Sequence, residues 1–103
     1  MDITPIHQRV IGLDVHQNKI SACAIAEQAD GTVTVEHREF GGFKRDRQAL
    51  AQWVKAFAPD VVVMESTGIY WKSPYAALEK VGIAAWVVNA RHVKTVPGRK
   101  TDI

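Results

Sequence analysis

Three acidic residues stand where their type and setting could do chemistry. Asp14 closes the apolar run Val10-Ile11-Gly12-Leu13, Glu65 closes Val61-Val62-Val63-Met64, and Asp102 lies in a segment rich in Lys and Arg. A carboxylate at the end of so apolar a strand is costly to desolvate, and it needs a partner, a metal ion or an open cleft beside it. Two such acids brought side by side repel each other unless a cation sits between them. Oxygen donors select a hard ion, Mg²⁺ or Mn²⁺, and the chain lacks the Cys/His spacing that zinc wants. Two ions held about 4 Å apart can activate an attacking hydroxyl and stabilise the leaving oxygen of a phosphodiester. Plainer readings stand beside these: Asp14 as a turn starter, and Asp102 as a helix N-cap.

The elements that must position the acids follow from apolar periodicity. Residues 9–26, RVIGLDVHQNKISACAIA, read as two strands joined by a hairpin through His16, Gln17 and Asn18. Asp30-Gly31 signals a tight turn, and residues 32–39 alternate Val33 and Val35 with polar side chains, which suits a third, half-exposed strand. Gly41-Gly42 breaks the pattern. Between residues 44 and 57, Leu50, Trp53, Val54 and Phe57 make one apolar helical face, opposite Lys44, Arg45, Arg47 and Lys55, a basic face that could touch phosphate but reads better as a solvated outer face.

Pro59-Asp60 closes that helix, and the apolar run 61–64 predicts a fourth strand, buried on both faces between parallel neighbours. Ser66-Thr67-Gly68 permits a sharp turn. Ser73 and Pro74 supply a cap and first-turn proline for a second helix ending at Gly82, with Trp71, Tyr75 and Leu78 on one core-facing side. Residues 83–88 predict a fifth strand. A basic segment follows, with Arg91, His92, Lys94, Arg99 and Lys100, and Thr101-Asp102 looks like the start of a further helix.

Three meandering strands followed by helix-separated strands give an α/β fold: a five-stranded mixed sheet in the order 3-2-1-4-5 with flanking helices, the ribonuclease H-like arrangement. In that order the first and fourth strands are neighbours, and Asp14 and Glu65 converge at one edge. Asp102 would be a third acid, set among cations that neutralise a polyanionic substrate.

With 103 residues, 47% of them hydrophobic and 23% charged, the chain has room for one globular domain and one core. Its longest nearly apolar segment, residues 81–88, is far shorter than the roughly 20 residues a membrane helix needs, and the N-terminus has no signal-peptide pattern. A cytoplasmic protein is expected. The single cysteine, Cys23, lies in an apolar run and reads as core filler. The net charge of +2 is unevenly spread: residues 1–60 hold seven Lys/Arg against eight Asp/Glu, and residues 61–103 hold six against three. That mild basic bias is compatible with a polyanionic partner.

IGLDVHQNKI, VVMESTGIYW and VVNARHVKTVPGRKTD, at these separations, resemble the N-terminal domain of insertion-sequence transposases of the IS one-ten group, over residues 10–103. Glu-Ser-Thr-Gly with a following aromatic and the terminal Gly-Arg-Lys-Thr-Asp are rare together. Ala90 departs from the proline often found there. The resemblance implies a RuvC-like domain with a DEDD acidic set, in which Asp14 matches the first acid, Glu65 the second and Asp102 the third. A fourth acid would fall shortly beyond Ile103, so residues 1–103 are expected to be the N-terminal catalytic domain of a longer transposase. The resemblance further implies a Mg²⁺-dependent DNA recombinase whose absent C-terminal domain contributes a catalytic serine. It also implies DNA as partner, in some relatives a guide RNA, a homo-oligomer in the full-length form, and an inactive isolated fragment. Arg91, Lys94, Arg99 and Lys100 are the expected nucleic-acid contacts.

Two other classes remain open on the same sheet. An actin-like or sugar-kinase-like ATP-binding half-domain also begins with an apolar strand ending in Asp, but needs small residues after it to hold phosphates, where this chain has Val15-His16-Gln17-Asn18. A degenerate, non-catalytic binding module is the other, and the presence of all three acids argues against it. His16, next to the first acid, reads as a surface or supporting residue, not a general base.

Overall fold

The computed structural model describes residues 8–66 and 68–89. Its elements are β1 (Arg9–Val15), β2 (Lys19–Glu27), β3 (Val33–Gly41), α1 (Lys44–Phe57), β4 (Val61–Ser66), α2 (Lys72–Lys80) and β5 (Trp86–Asn89). They build one five-stranded sheet in the order β3-β2-β1-β4-β5. β1, β2 and β3 pair antiparallel, and β4 runs parallel to both β1 and β5. The expected ribonuclease H-like order 3-2-1-4-5 is borne out strand for strand.

Strand alternation sorts the sheet into two unlike faces. Ile11, Leu13 and Val15 of β1, Ile20, Ala22 and Ala24 of β2, and Val62 and Met64 of β4 are buried in one core with Leu50 and Val54 of α1 and Leu78 of α2. Burying each of the larger side chains contributes about 1.5–3 kcal/mol. Trp53 of α1 packs on Phe40 with ring centroids 5.6 Å apart, and Trp71 meets Tyr75 edge-on at the same spacing. Both helices thus cover the same face.

The opposite face carries Val10, Gly12 and Asp14, then Ser21 and Cys23, then Val61, Val63 and Glu65, all half-buried or exposed. Ile25, Val35 and Trp86 stand out to solvent there. The expectation that β4 is buried on both faces is therefore corrected. Val62, Met64 and Ser66 are buried, but Val61 and Val63 are only half-buried, because no described helix crosses their side.

Two boundaries also differ from the sequence reading. Trp71, not Ser73, is the N-cap of α2, and no side chain caps it. Pro74 still sits in the first turn, where a missing N–H costs nothing. β5 begins at Trp86, three residues later than expected, as the sheet's edge. Among the described residues no helix is long and apolar enough to cross a membrane.

Turn chemistry holds the connections. Asp30 Oδ1 accepts from both the Thr32 amide and hydroxyl, at 2.9 and 2.6 Å, and the hydroxyl bond above all holds the Asp30 carboxyl below its usual pKa. A Cβ on Gly42 would come within 3.2 Å of Asn18 Cα, so glycine lets the β3–α1 turn rest against the β1–β2 turn. At its C-terminus α1 ends on Ala58 in the left-handed region, whose N–H donates to the Val54 and Lys55 carbonyls.

One clamp ties that helix end to the start of β1. The Asp60 amide donates to the Arg9 carbonyl at 2.7 Å, and the Arg9 amide donates to Asp60 Oδ2 at 2.8 Å. Arg9 Nε donates to the Phe57 carbonyl at 2.8 Å, with the guanidinium 4.1 Å from the centre of the Phe57 ring. Arg9→Ala removes a part-buried hydrogen bond and a cation–π contact together, and is expected to cost about 1–3 kcal/mol. Urea denaturation should show a lower midpoint at unchanged slope; an unmoved midpoint would show that the clamp contributes nothing.

Candidate active site

The parallel pairing of β1 and β4 sets Asp14 directly opposite Glu65. Partners in register point to the same face, so the two carboxylates share one side of the sheet about 4.8 Å apart at the backbone. Both residues are exposed. They open into a groove of about 330 Å³ on the helix-free face, walled also by Gly12, Ser21, Cys23 and His37. Of the three things an acid on so apolar a strand requires, the structure supplies the open cleft.

His16 Nε2 lies 3.1 Å from Asp14 Oδ2, each side chain about half exposed (53% and 55%). Its backbone N–H closes the β1–β2 turn by donating to the Lys19 carbonyl at 2.9 Å. The turn that reverses the chain therefore also brings the imidazole against the first acid.

Across the sheet, Glu39, Ser21, Asp14 and Glu65 form one row. The Ser21 hydroxyl donates towards Glu39 Oε2 at 3.5 Å, and Lys19 Nζ stands 3.8 Å from the same oxygen. Glu39 is two strand spacings from Asp14, about 10 Å, too far to share an ion with it. Among the described residues no three His, Cys, Asp or Glu side chains come together closely enough to hold a metal ion. The third expected acid, Asp102, and the expected contacts Arg91, Lys94, Arg99 and Lys100 lie outside the described residues. β5 ends with Asn89 paired to Ser66, at the same end of the sheet as the acids.

Sequence reasoning missed three residues of this groove. Cys23, expected in the core, is half-buried on the open face, paired in register with Gly12 and His37. The signal was available: Cys23 is an even number of residues from Ser21 and Ile25, so it shares their face, while Ala22 and Ala24 take the core. His37 and Ser21 follow by the same alternation.

A family model described as a transposase, that of the DEDD proteins of the IS one-ten group, matches residues 11–103. The chain belongs to this family. No curated protein sequence matches the transposase chain. Solved structures with a similar fold include Thermus thermophilus RuvC in complex with a Holliday junction substrate, 11% identical, with a TM-score of 0.59 over 91% of this chain and 73% of that one. The fowlpox virus Holliday junction resolvase is 14% identical, with a TM-score of 0.57 over 79% of this chain and 60% of that one. An Aquifex aeolicus member of the Ppx/GppA family is 11% identical, with a TM-score of 0.55, and the transposase chain spans 84% of itself but only 37% of that protein. These likenesses are of fold alone: the chain is a domain of the transposase family with a RuvC-like fold.

Two like charges one strand apart should weaken the metal-free fold. Without divalent metal, Asp14→Asn combined with Glu65→Gln is expected to leave stability unchanged or raise it. A loss of more than about 2 kcal/mol in chemical denaturation would mark the pair as structural instead.

Proposed function

We propose that this transposase chain is the RuvC-like nuclease domain of a DNA-recombining enzyme, with Asp14 and Glu65 as its first two catalytic acids and Asp102 as the third. The observation that carries the reading is the in-register pair, Asp14 and Glu65, at the open end of adjacent parallel strands. The donor chemistry fits a hard cation. Two carboxylates face one groove with the Ser21 hydroxyl beside them, whereas Cys23 and His37 lie two residues further along their strands. Asp14 and Glu65, completed by Asp102, would hold Mg²⁺ or Mn²⁺. When bound there, such ions supply the charge that activates an attacking hydroxyl and stabilises the leaving oxygen of a phosphodiester.

The chain's own residues do the remaining work. His16 fixes the orientation of the Asp14 carboxylate through Oδ2. Gly12 keeps the groove floor low, since a Cβ there would meet nothing within 4 Å and would fill open space instead. Arg91, Lys94, Arg99 and Lys100 neutralise the phosphates that two acids alone would repel. DNA as the partner is supported by the likeness to RuvC, solved on a Holliday junction. A fourth acid, a catalytic serine, an oligomer and a guide RNA as further partner are what the family resemblance implies in addition.

In the full-length transposase, Asp14→Asn or Glu65→Gln is expected to lower element excision at least about 10³-fold, the several kcal/mol that metal-assisted phosphoryl transfer draws from its ions. Residues 1–103 alone, with Mn²⁺, are expected neither to cut nor to join DNA, because the second ion lacks its full ligand set. Undiminished excision by either variant would overturn the assignment. Mn²⁺-dependent cleavage by residues 1–103, abolished by Glu65→Gln, would show that cleavage needs no fourth acid.

A further inference from the structure

The helical side of the sheet carries a second concave surface. α1 contributes Lys44, Arg47, Gln48, Ala51 and Gln52 to it, spaced i, i+3, i+4, i+7 and i+8, and α2 answers with Ser73, Ala76, Ala77 and Lys80. Each set is one helical stripe, so two stripes face each other across a furrow of about 350 Å³. The stripe on α1 runs about 12 Å along the axis. Alanines form its middle, and cations and neutral amides form its rims. No acid lines it.

This furrow continues into a second hollow of about 210 Å³, which shares Arg47 and Ser73 with it and is walled by His16, Gln17, Lys19 and Tyr70. Again no acid lines the hollow. Arg47 sits at the junction, held there by one bond from an Nη to the Gly42 carbonyl at 2.9 Å, and its guanidinium makes no ion pair among the described residues. Lys44 and Lys80 likewise make no ion pair among the described residues. At the far end of the hollow stands His16, in contact with Asp14. Tyr70, 40% exposed, and Ile69, 68% exposed, lie at its mouth.

A cationic groove that tracks a backbone, with an exposed aromatic at one end, is the arrangement by which single strands are held: cations take the phosphates and the ring takes a base. We propose that the α1–α2 furrow and the hollow beside the β1–β2 turn form one track for a single-stranded polynucleotide, with phosphates on Lys44, Arg47 and Lys80 and a base stacked on Tyr70. The track draws on none of the basic residues of segment 91–100, and it leads to the carboxylate edge by way of His16. Its connection to catalysis rests on the transposase reading; the binding itself does not.

The test is fluorescence anisotropy of the whole 103-residue chain with labelled oligo-dT, oligo-U and a duplex of the same length, in chelator, across a salt series. Both single strands should bind better than the duplex, and the ratio of oligo-dT to oligo-U affinity distinguishes a DNA strand from an RNA strand as occupant. Replacing Lys44, Arg47 and Lys80 together by Ala should lower the log–log salt slope by about 2, the share of three phosphate contacts on a single strand. Lys44→Ala with Lys80→Ala, which spares the Arg47 bond to the turn, should lower it by about 1.4. Tyr70→Ala should weaken binding between about 5- and 150-fold at unchanged slope, while Tyr70→Phe retains it. Unchanged slope and affinity in the Lys44/Lys80 variant, or loss of binding only when Arg91, Lys94, Arg99 and Lys100 are replaced, would overturn the track and leave the transposase reading standing. Absence of any polynucleotide binding would count against both.

Discussion

The parallel pairing of β1 with β4 is the constraint on which the rest depends. It is the one contact that puts Asp14 beside Glu65, and a slip of one residue would turn Glu65 towards the helices and bring Met64 to the open face. The acids cannot hold this register themselves, since like charges favour separation. It is held from the middle and from the other end. Ile11, Leu13, Val62 and Met64 interlock under the helices, and the Arg9–Asp60–Phe57 clamp pins the first residues of both strands where the chain leaves α1. Stability is thus gathered at one end of the strands and charge at the other.

One-sided covering of the sheet gives the two acids an open setting. A carboxylate under a helix would have to be neutralised or paired. With both helices on the Ile11–Val62 face, no described element covers the other one, and Asp14 and Glu65 stand exposed there. The same asymmetry exposes Ile25, Val35 and Trp86 on the acids' side. An apolar surface of that kind, continuous with a charged groove, is tolerable on a face that further chain or substrate covers.

Much of this was legible in the sequence, because it is written in periodicity. The hairpin, the α1 face and the strand order follow from spacing 2 or 3.6 and from turn residues, and the two acids announce themselves by ending apolar runs. What was not legible depends on tertiary placement. Val61-Val62-Val63-Met64 reads as buried on both sides because its residues are apolar, yet only the positions of the helices decide which side is covered. Ser73 looks like a cap, but the chain enters α2 already helical at Trp71, with φ −68° and ψ −22°, leaving Ser73 no capping geometry. Cys23 was misplaced by reading its run as one apolar block when its alternation with Ala22 and Ala24 assigns it to the groove.

The basic stripe on α1 shows the same division between local and tertiary information. Taken alone, Lys44 and Arg47 are the solvated face of an amphipathic helix, and that reading is sound for Arg45 and Lys55. They become a track only because α2 lies alongside and sets Ser73 and Lys80 opposite them, with alanines keeping the space between open. Acids on one face and cations on the other then meet at a single hinge of sequence, the turn from Asp14 to Lys19, where His16 touches the first acid and also walls the hollow. A polyanion drawn to the cations would be repelled by the carboxylates themselves, so its approach to the acid edge has to wait for a cation there. On the proposed function, binding and chemistry would be ordered by charge: the strand held first, and the reacting phosphate admitted once a cation neutralises the acids.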